Sequence, residues 1–443
     1  MKYVSSVVDA SYNIVNRHNI LTLSLAIKQS IMLAEFIAID IEFTGLGDMK
    51  KTRDQNIENR YLSLSQLAKS HAVNAVGLSI FERKSDNEYH VHNYHFVMLC
   101  AKDHTISPSS MSFLVEHGFD FNDQFRNGIP YHPGNDVLDR DDIQPNSVFR
   151  NLFMDIICQD CPVVTHNGLL DLVFLYQSFY AELPSTLSVF IADLSGMFTG
   201  GVFDTKYISD FITRESSSFL SYLYRKYERA EINQKAEKQN HFQVTIKDPI
   251  QHKQIQTKFK LYQLGLAPTV NKPVINSGKP FCEQYAFHGF CQDGKGCIQS
   301  HDLDIILDFE SQPQSHIKKK LKGEEKKSKP VVAMDSDPTF KGDGKKTKAT
   351  VANENELANQ TDQDIPLFVS KASLFKQDHS ACFDAYMTGY IFAHQLLTED
   401  EVLKFCKNRI YLIGKQMPLI IEKSRYSNFS QNHLLKMKKR TLL

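Results

Sequence analysis

Asp40 and Glu42 stand two residues apart in an otherwise apolar run, Phe36-Ile37-Ala38-Ile39-Asp40-Ile41-Glu42-Phe43, which then breaks into a Gly-containing turn at Thr44-Gly45-Leu46-Gly47-Asp48. Side chains two apart on a strand emerge on one face, so both carboxylates lie side by side near the end of the strand. The remaining residues are apolar on both faces, which describes a central strand. Adjacent buried anions repel each other and cost desolvation energy unless a cation sits between them. The hard cations favoured by carboxylate oxygens are Mg²⁺ and Mn²⁺. The competing reading, solvated acids on an edge strand, needs a polar face that this run lacks.

Two further segments supply acids. In Pro162-Val163-Val164-Thr165-His166-Asn167-Gly168-Leu169-Leu170-Asp171, a short apolar strand ends in a turn, and Asp171 falls at the start of a helix. Metal binding and an ordinary helix N-terminal contact both account for an acid in that position. In His379-Ser380-Ala381-Cys382-Phe383-Asp384, Asp384 opens a later helix, with His379 five residues earlier. A histidine in a loop is commonly only hydrogen-bonded or exposed. Beside a metal-binding acid, it is suited to accepting a proton from an attacking water.

Cys282, Cys291, Cys297 and His301 have the spacing C-x8-C-x5-C-x3-H. Three thiolates and one imidazole form a closed tetrahedral set, the structural Zn²⁺ arrangement. Tyr285, Phe287 and Phe290, with Lys279 and Lys295 nearby, either stack and steer single-stranded bases or pack a tiny core around the metal. Cys158-x-x-Cys161 has no second pair, and its spacing alone is weak.

The elements that must position these groups alternate. Residues 22–35 have helical spacing and lead into the 36–43 strand, and 60–70 are helical. Residues 73–82 and 89–100 form a hairpin turned at Lys84-Ser85-Asp86-Asn87. Residues 107–127 are helix-like and aromatic, and 128–146 are loop. A helix at 147–158, a strand at 162–165 and a helix from 171 follow, then a strand-like piece at 241–247. Helices are expected over 383–397, 398–407 and 433–440. This alternation indicates an α/β fold with a mixed sheet.

The chain has 443 residues, room for two or three domains, and a formal net charge of zero. That balance is uneven: residues 311–350 hold eleven Lys against five Asp or Glu. An RNA partner therefore has to be held by local basic patches. Residues 311–364 carry too little apolar surface to offset ordering entropy and read as disordered. The scattered cysteines, a polar N-terminal stretch and the lack of any apolar run near the eighteen or so residues of a membrane span point to a reducing, intracellular protein with no membrane partner.

Asp-x-Glu on a strand, Asn-x-x-x-Asp opening a helix and His-x-x-x-x-Asp opening a later one together resemble the DEDDh 3′–5′ exonucleases, and within them the CAF-type deadenylases. Phe121-Asn122, Phe125, Gly128-Ile129-Pro130-Tyr131 and Phe203-Asp204-Thr205-Lys206-Tyr207 are similar to that family too. The likeness covers about 1–225 and 370–443.

The resemblance implies a ribonuclease-H-like exonuclease fold, its mixed sheet flanked by helices. The corresponding division is exonuclease domain over 1–270 and 365–443, CCCH zinc finger over 275–308, and disordered basic linker over 309–364. It also implies that Asp40, Glu42, Asp171 and Asp384 hold two Mg²⁺ ions (Mn²⁺ being possible) roughly 4 Å apart. His379 would deprotonate the attacking water, and each cycle would release 5′-AMP from an RNA 3′ end. Asp204 is read as structural.

A finger inserted between the second and third motifs resembles a nuclear subgroup that trims adenylated or extended 3′ ends of small nuclear RNAs in Cajal bodies. Lys318-Lys319-Lys320-Leu321-Lys322, with Lys326, Lys327 and Lys329, is either a nuclear localisation signal or a solvated linker. A catalytically silent RNA-binding protein is the alternative to an enzyme. The complete acid set, together with His379, favours the enzyme.

Overall fold

A strand that is apolar on both faces needs cover on both, and β2 (Phe36–Phe43) has it. Phe36, Ile37, Ala38, Ile39 and Ile41 are all buried. The computed structural model describes residues 9–135, 145–247, 257–260, 279–312 and 380–441. Residues 1–310 and 375–443 cluster as one compact unit. Residues 311–374 cluster as another, which lies almost entirely outside the described residues.

From the N-terminus, β1 (Asp9–Val15) and α1 (Ile20–Met32) precede β2. After β2 come a short α2 (Met49–Thr52) and α3 (Ile57–Ser70). Asn56 fixes the start of α3, its Oδ1 accepting from the amides of Glu58 at 2.9 Å and Asn59 at 3.3 Å. The hairpin β3 (Val73–Ser85) and β4 (Glu88–Cys100) is longer than its sequence pattern suggests. Segment 107–127 becomes two helices, α4 (Pro108–Glu116) and α5 (Phe121–Asn127), broken near Gly118 at φ +87. Then follow β5 (Ile129–Tyr131), α6 (Pro145–Cys158), β6 (Val163–Thr165), α7 (Leu169–Leu175), α8 (Leu187–Met197) and β7 (Val202–Asp204). The chain continues through α9 (Thr205–Tyr207), α10 (Leu220–Ala236), β8 (Gln243–Ile246) and β9 (Thr257–Lys260). Helices α11 (Glu283–His288) and α12 (Leu303–Glu310) frame the Cys/His segment. The C-terminal part comprises α13 (Ala381–Leu403), β10 (Arg409–Ile410), β11 (Leu419–Ile420) and α14 (Gln431–Thr441).

The strands form one mixed sheet in the order β11-β10-β7-β6-β2-β3-β4-β1-β9, with β5 and β8 also pairing with the long β4. β2, β6, β7 and β10 run parallel, so their C-terminal ends share one edge. β3 runs antiparallel beside β2. One face, with Ile37, Ile39, Ile41, Val76 and Leu78, packs under α1, α3, α6 and α7. The other, with Phe36, Ala38, Phe81 and Val91, packs under α10 and α13.

The separate helices anticipated at 383–397 and 398–407 are the two parts of α13, which meet across a kink where Glu399 leaves helical geometry (φ −133), though the second ends earlier, at Leu403. Beside this break, Thr398 Oγ1 donates back to the His394 carbonyl at 3.0 Å, a bond that bends helices. Of the expected 128–146 loop, residues 128–135 and 145–146 are described, Ile129–Tyr131 being the strand β5 and Pro145 opening α6, and the 311–364 segment is described only to 312. His379 and the 318–329 lysines lie outside the described residues. Among the described residues, no helix is long and apolar enough to cross a membrane.

Candidate active site

Asp40 and Glu42 alternate onto the α13 face of β2, opposite Gly77 and Ala75 of β3. The start of α13 rests directly on that strand. A Cβ at Gly77 would lie 2.0 Å from the Ala381 carbonyl oxygen. Ser380 caps the helix, its Oγ accepting from the Phe383 amide at 3.3 Å. Asp384, in the first turn, is thereby delivered to the strand, and carboxylate oxygens of Asp40, Glu42 and Asp384 lie within 4.8 Å of one another. Burial holds the Asp40 carboxyl well above the usual carboxylate range, and the charges of Asp384, Asp171 and Glu42 push it further. A divalent cation is the natural counter-charge for such a set, and the donors are the hard oxygens that Mg²⁺ and Mn²⁺ prefer.

Asp171 stands a step outside that triad while still acting electrostatically on Asp40. It sits in the first turn of α7, just after the β6–α7 turn where Asn167 takes φ +60, a left-handed conformation that Asn tolerates. Burial raises its carboxyl to about 7, the charge of Asp204 adds to this, and the Asp171 and Ile41 amides pull the other way.

Asp204 is the knot behind the site. Its carboxylate accepts from the amides of Asn167 at 2.9 Å, Gly168 at 3.2 Å, Lys206 at 3.0 Å, Tyr207 at 3.3 Å and Tyr411 at 3.0 Å. One side chain thus ties together the turns after β6, β7 and β10.

Sequence reasoning missed Arg60. It is only 2% exposed, and its guanidinium donates to the carbonyls of Arg53, Asp54 and Ile413, each at 3.0 Å. This pins α2 to the segment after β10. The helical reading of 60–70 gave no sign of its burial, and nothing local marked its distant partner.

Beyond Glu42, the pairing of β2 with β3 slips and leaves Asn74 unmatched, a bulge of the kind that re-aims side chains beside functional sites. Asn74 Oδ1 accepts from Gln124 Nε2 at 3.0 Å, while its buried Nδ2 has no hydrogen-bond partner among the described residues. There a cavity of about 560 Å³ is lined by Thr44, Asn74, Leu99, Met111, Gln124 and Phe125, among others.

The Cys/His group also assembles. Ligand atoms of Cys282, Cys291, Cys297 and His301 lie within 4.8 Å of one another, and His301 Nε2 is buried without a hydrogen-bond partner. That donor set and orphaned nitrogen fit a structural Zn²⁺. Tyr285 stacks on the His301 ring at 4.3 Å and 5°, so it packs the finger. Phe287 and Phe290 stay 55% and 63% exposed. Cys161 is buried, its thiol pushed up to about 12 by burial, in keeping with a passive role.

Fold and site together define an α/β protein whose mixed sheet, flanked by helices, carries an acidic cluster at the strand ends. The profile described as CAF1 family ribonuclease matches residues 15–140 and 134–392. The chain belongs to this family. The 3′-5′ exoribonuclease parn-1 of Caenorhabditis elegans is 30% identical over 121 residues, 27% of this chain and 21% of that protein. Poly(A)-specific ribonuclease PNLDC1 of Mus musculus is 32% identical over 123 residues, covering 24% and 23%. The Homo sapiens poly(A)-specific ribonuclease PARN is 33% identical over 119 residues, covering 24% and 19%. The matched stretch is thus about a fifth of each relative's length. Among solved structures, S. pombe Pop2p in its Mg²⁺- and Mn²⁺-bound form aligns with a TM-score of 0.37 at 18% identity, over 49% of this chain and 82% of that one.

Proposed function

We propose that this chain is a metal-dependent 3′–5′ exoribonuclease of the deadenylase type, releasing 5′-AMP from RNA 3′ ends. The observation that carries the reading is the convergence of Asp40, Glu42 and Asp384 within 4.8 Å at a half-buried strand end, in a chain of a ribonuclease family. Asp40, Glu42, Asp171 and Asp384 would hold two Mg²⁺ or Mn²⁺ ions. When bound, these supply charge stabilisation to the attacking and leaving oxygens of an in-line displacement. The β2 strand and the α13 N-terminus hold the acids in place, and Asp204 holds the Asp171 turn. His379 is the general base, taking the proton of the attacking water.

The cavity beyond Glu42 has the apolar walls and few convergent polar groups of a nucleobase site. Asn74 and Gln124 are among the few polar groups that line it. Zn²⁺ on Cys282, Cys291, Cys297 and His301 is structural. Small nuclear RNAs are the proposed substrates and the nucleus, with its Cajal bodies, the proposed location. The inserted finger supports both, and imaging of the tagged protein tests the second.

Purified protein should shorten 3′-adenylated RNA faster than RNAs with other tails, dependent on added Mg²⁺. Asp40→Ala should abolish this while remaining folded. Undiminished shortening by Asp40→Ala would overturn the assignment. A silent RNA-binding role would give binding without any shortening in the parent protein.

A further inference from the structure

The finger is built into the nuclease. Phe281 on its first strand-like bridge and Leu303, Ile306 and Leu307 on α12 are buried in the same core as Tyr222, Leu223 and Phe383. Arg225 on α10 grips Asp304 through two bonds of 2.8 Å, and Arg229 adds a third at 3.2 Å.

Between the finger and the acidic edge runs the loop 213–219, whose serines face both ways. Towards the finger, Ser217 Oγ donates to the Phe287 carbonyl at 3.1 Å. Phe219 lies against Tyr285 with ring centres 5.7 Å apart and fills the space a Cβ on Gly289 would need, 2.7 Å away. Ser216 Oγ meets the Tyr222 hydroxyl at 3.2 Å, and that hydroxyl donates to Glu310 on α12 at 2.5 Å. Towards the site, Lys206 Nζ donates to Ser218 Oγ at 2.6 Å, and the His166 ring pairs through Nδ1 with Thr205 Oγ1, one residue before Lys206, at 2.9 Å. His166 begins the turn that delivers Asp171, and Lys206 lies two residues after Asp204, whose carboxylate accepts from its amide.

A segment with one six-residue helix, one turn and four metal ligands holds its shape through the metal. Without it, the Phe287 carbonyl, Gly289 and Tyr285 no longer brace the serine loop, and Ser218 is no longer fixed against Lys206. Displacements near 1 Å at a reacting centre cost about a hundredfold in rate.

We propose that the metal-loaded finger is a positioning element for hydrolysis, which holds the Asp171 turn in place through Ser216, Ser217 and Ser218. This rests on the nuclease reading above. It separates a brace from an RNA platform: a brace acts on every substrate, whereas a platform at exposed Phe287 and Phe290 acts only on RNA long enough to reach it.

The test is steady-state kinetics on a short and a long oligoadenylate, with hydrogen exchange measured on zinc-loaded and zinc-stripped protein without RNA. Stripping, or Cys291→Ser, should lower kcat on the short substrate about tenfold or more with KM nearly unchanged. Exchange at amides 166–171 should quicken. Ser218→Ala, which leaves the finger intact, should lower kcat several-fold, with Ser218→Thr restoring it. Phe287→Ala with Phe290→Ala should leave short-substrate kcat unchanged. Full short-substrate kcat in stripped protein and in Ser218→Ala would overturn the brace, as would losses confined to long RNA and reproduced by the double Phe variant. A parent protein inactive on every RNA would sink the nuclease reading instead, and unchanged exchange at 166–171 would still sink the brace.

Discussion

Gly77→Ala should disable the site from the opposite side of a packing interface, without touching an acid. Its new Cβ would lie 2.0 Å from the Ala381 carbonyl oxygen, 2.1 Å from that carbonyl carbon and 2.4 Å from the Cys382 nitrogen. Ordinary contacts of carbon with heavy atoms begin near 3.5 Å, so the start of α13 must retreat by roughly 1.5 Å. Backbone is the obstacle, and no side chain can rotate away to relieve it. Asp384 lies three residues further along the same turn, and its distance from Asp40 and Glu42 must grow with that retreat. Overpacking should cost about 1–3 kcal/mol of stability, and the misplaced ligand should cost about a hundredfold in kcat. Mg²⁺ titration of oligoadenylate shortening reads the second and thermal melting the first, with the Mg²⁺ midpoint moving upward. Gly389→Ala is the contrast. Its Cβ, five residues past Asp384 and clear of the main chain that holds the start of α13, would meet the buried Phe81 side chain at 2.2 Å, so stability should fall with far less effect on kcat. Gly77→Ala with parental kcat and Mg²⁺ midpoint would refute the claim that this close approach sets the Asp384 position.

Asp40→Asn should abolish hydrolysis yet melt no lower than the parent in EDTA, because it removes a buried anion opposed by Asp384, Asp171 and Glu42; a clear loss of stability would contradict this. Asp204→Asn should destabilise by about 3 kcal/mol or more and lower kcat, since an amide NH₂ would face main-chain donors; urea unfolding and kinetics check both effects. Acid should weaken the fold through His95, whose ring burial pushes down to about 4. The unfolded chain takes up that proton near 6.5 and the folded chain only near 4, so stability is full above 6.5 and falls between the two, by up to roughly 3 kcal/mol. Urea midpoints at several pH values should drop over this window, and His95→Gln should flatten the curve.

The acids were legible because each sits where local pattern is strong. Asp40 and Glu42 interrupt an apolar strand, and Asp171 and Asp384 fall in first helical turns. The Cys/His spacing was legible for the same reason. What local pattern could not reveal were contacts made across the chain. The two- and three-residue strands β7, β10 and β11 are too short for a period to register, and only their pairing at the sheet edge defines them. Tyr285 looked as available for stacking as Phe287, and only the fold lays it on His301. Arg60 reaches Ile413, 353 residues away, with no sequence trace of the partner.

The acidic edge gathers residues from distant parts of the chain, so its precision depends on what joins the strand ends. Asp204 does so by accepting main-chain N–H groups from three separate turns. Only an ionised carboxylate offers two oxygens that both accept and no donor, which excludes Asn or Gln from that role. The same anion opposes ionisation of Asp171. The group that fixes the turn therefore also adds to the negative potential that draws in a cation. Positioning and electrostatics are in this way one design: the fold tolerates Asp204 buried because five donors stabilise it, and it tolerates the acids beside it to the extent that a cation does the same for them.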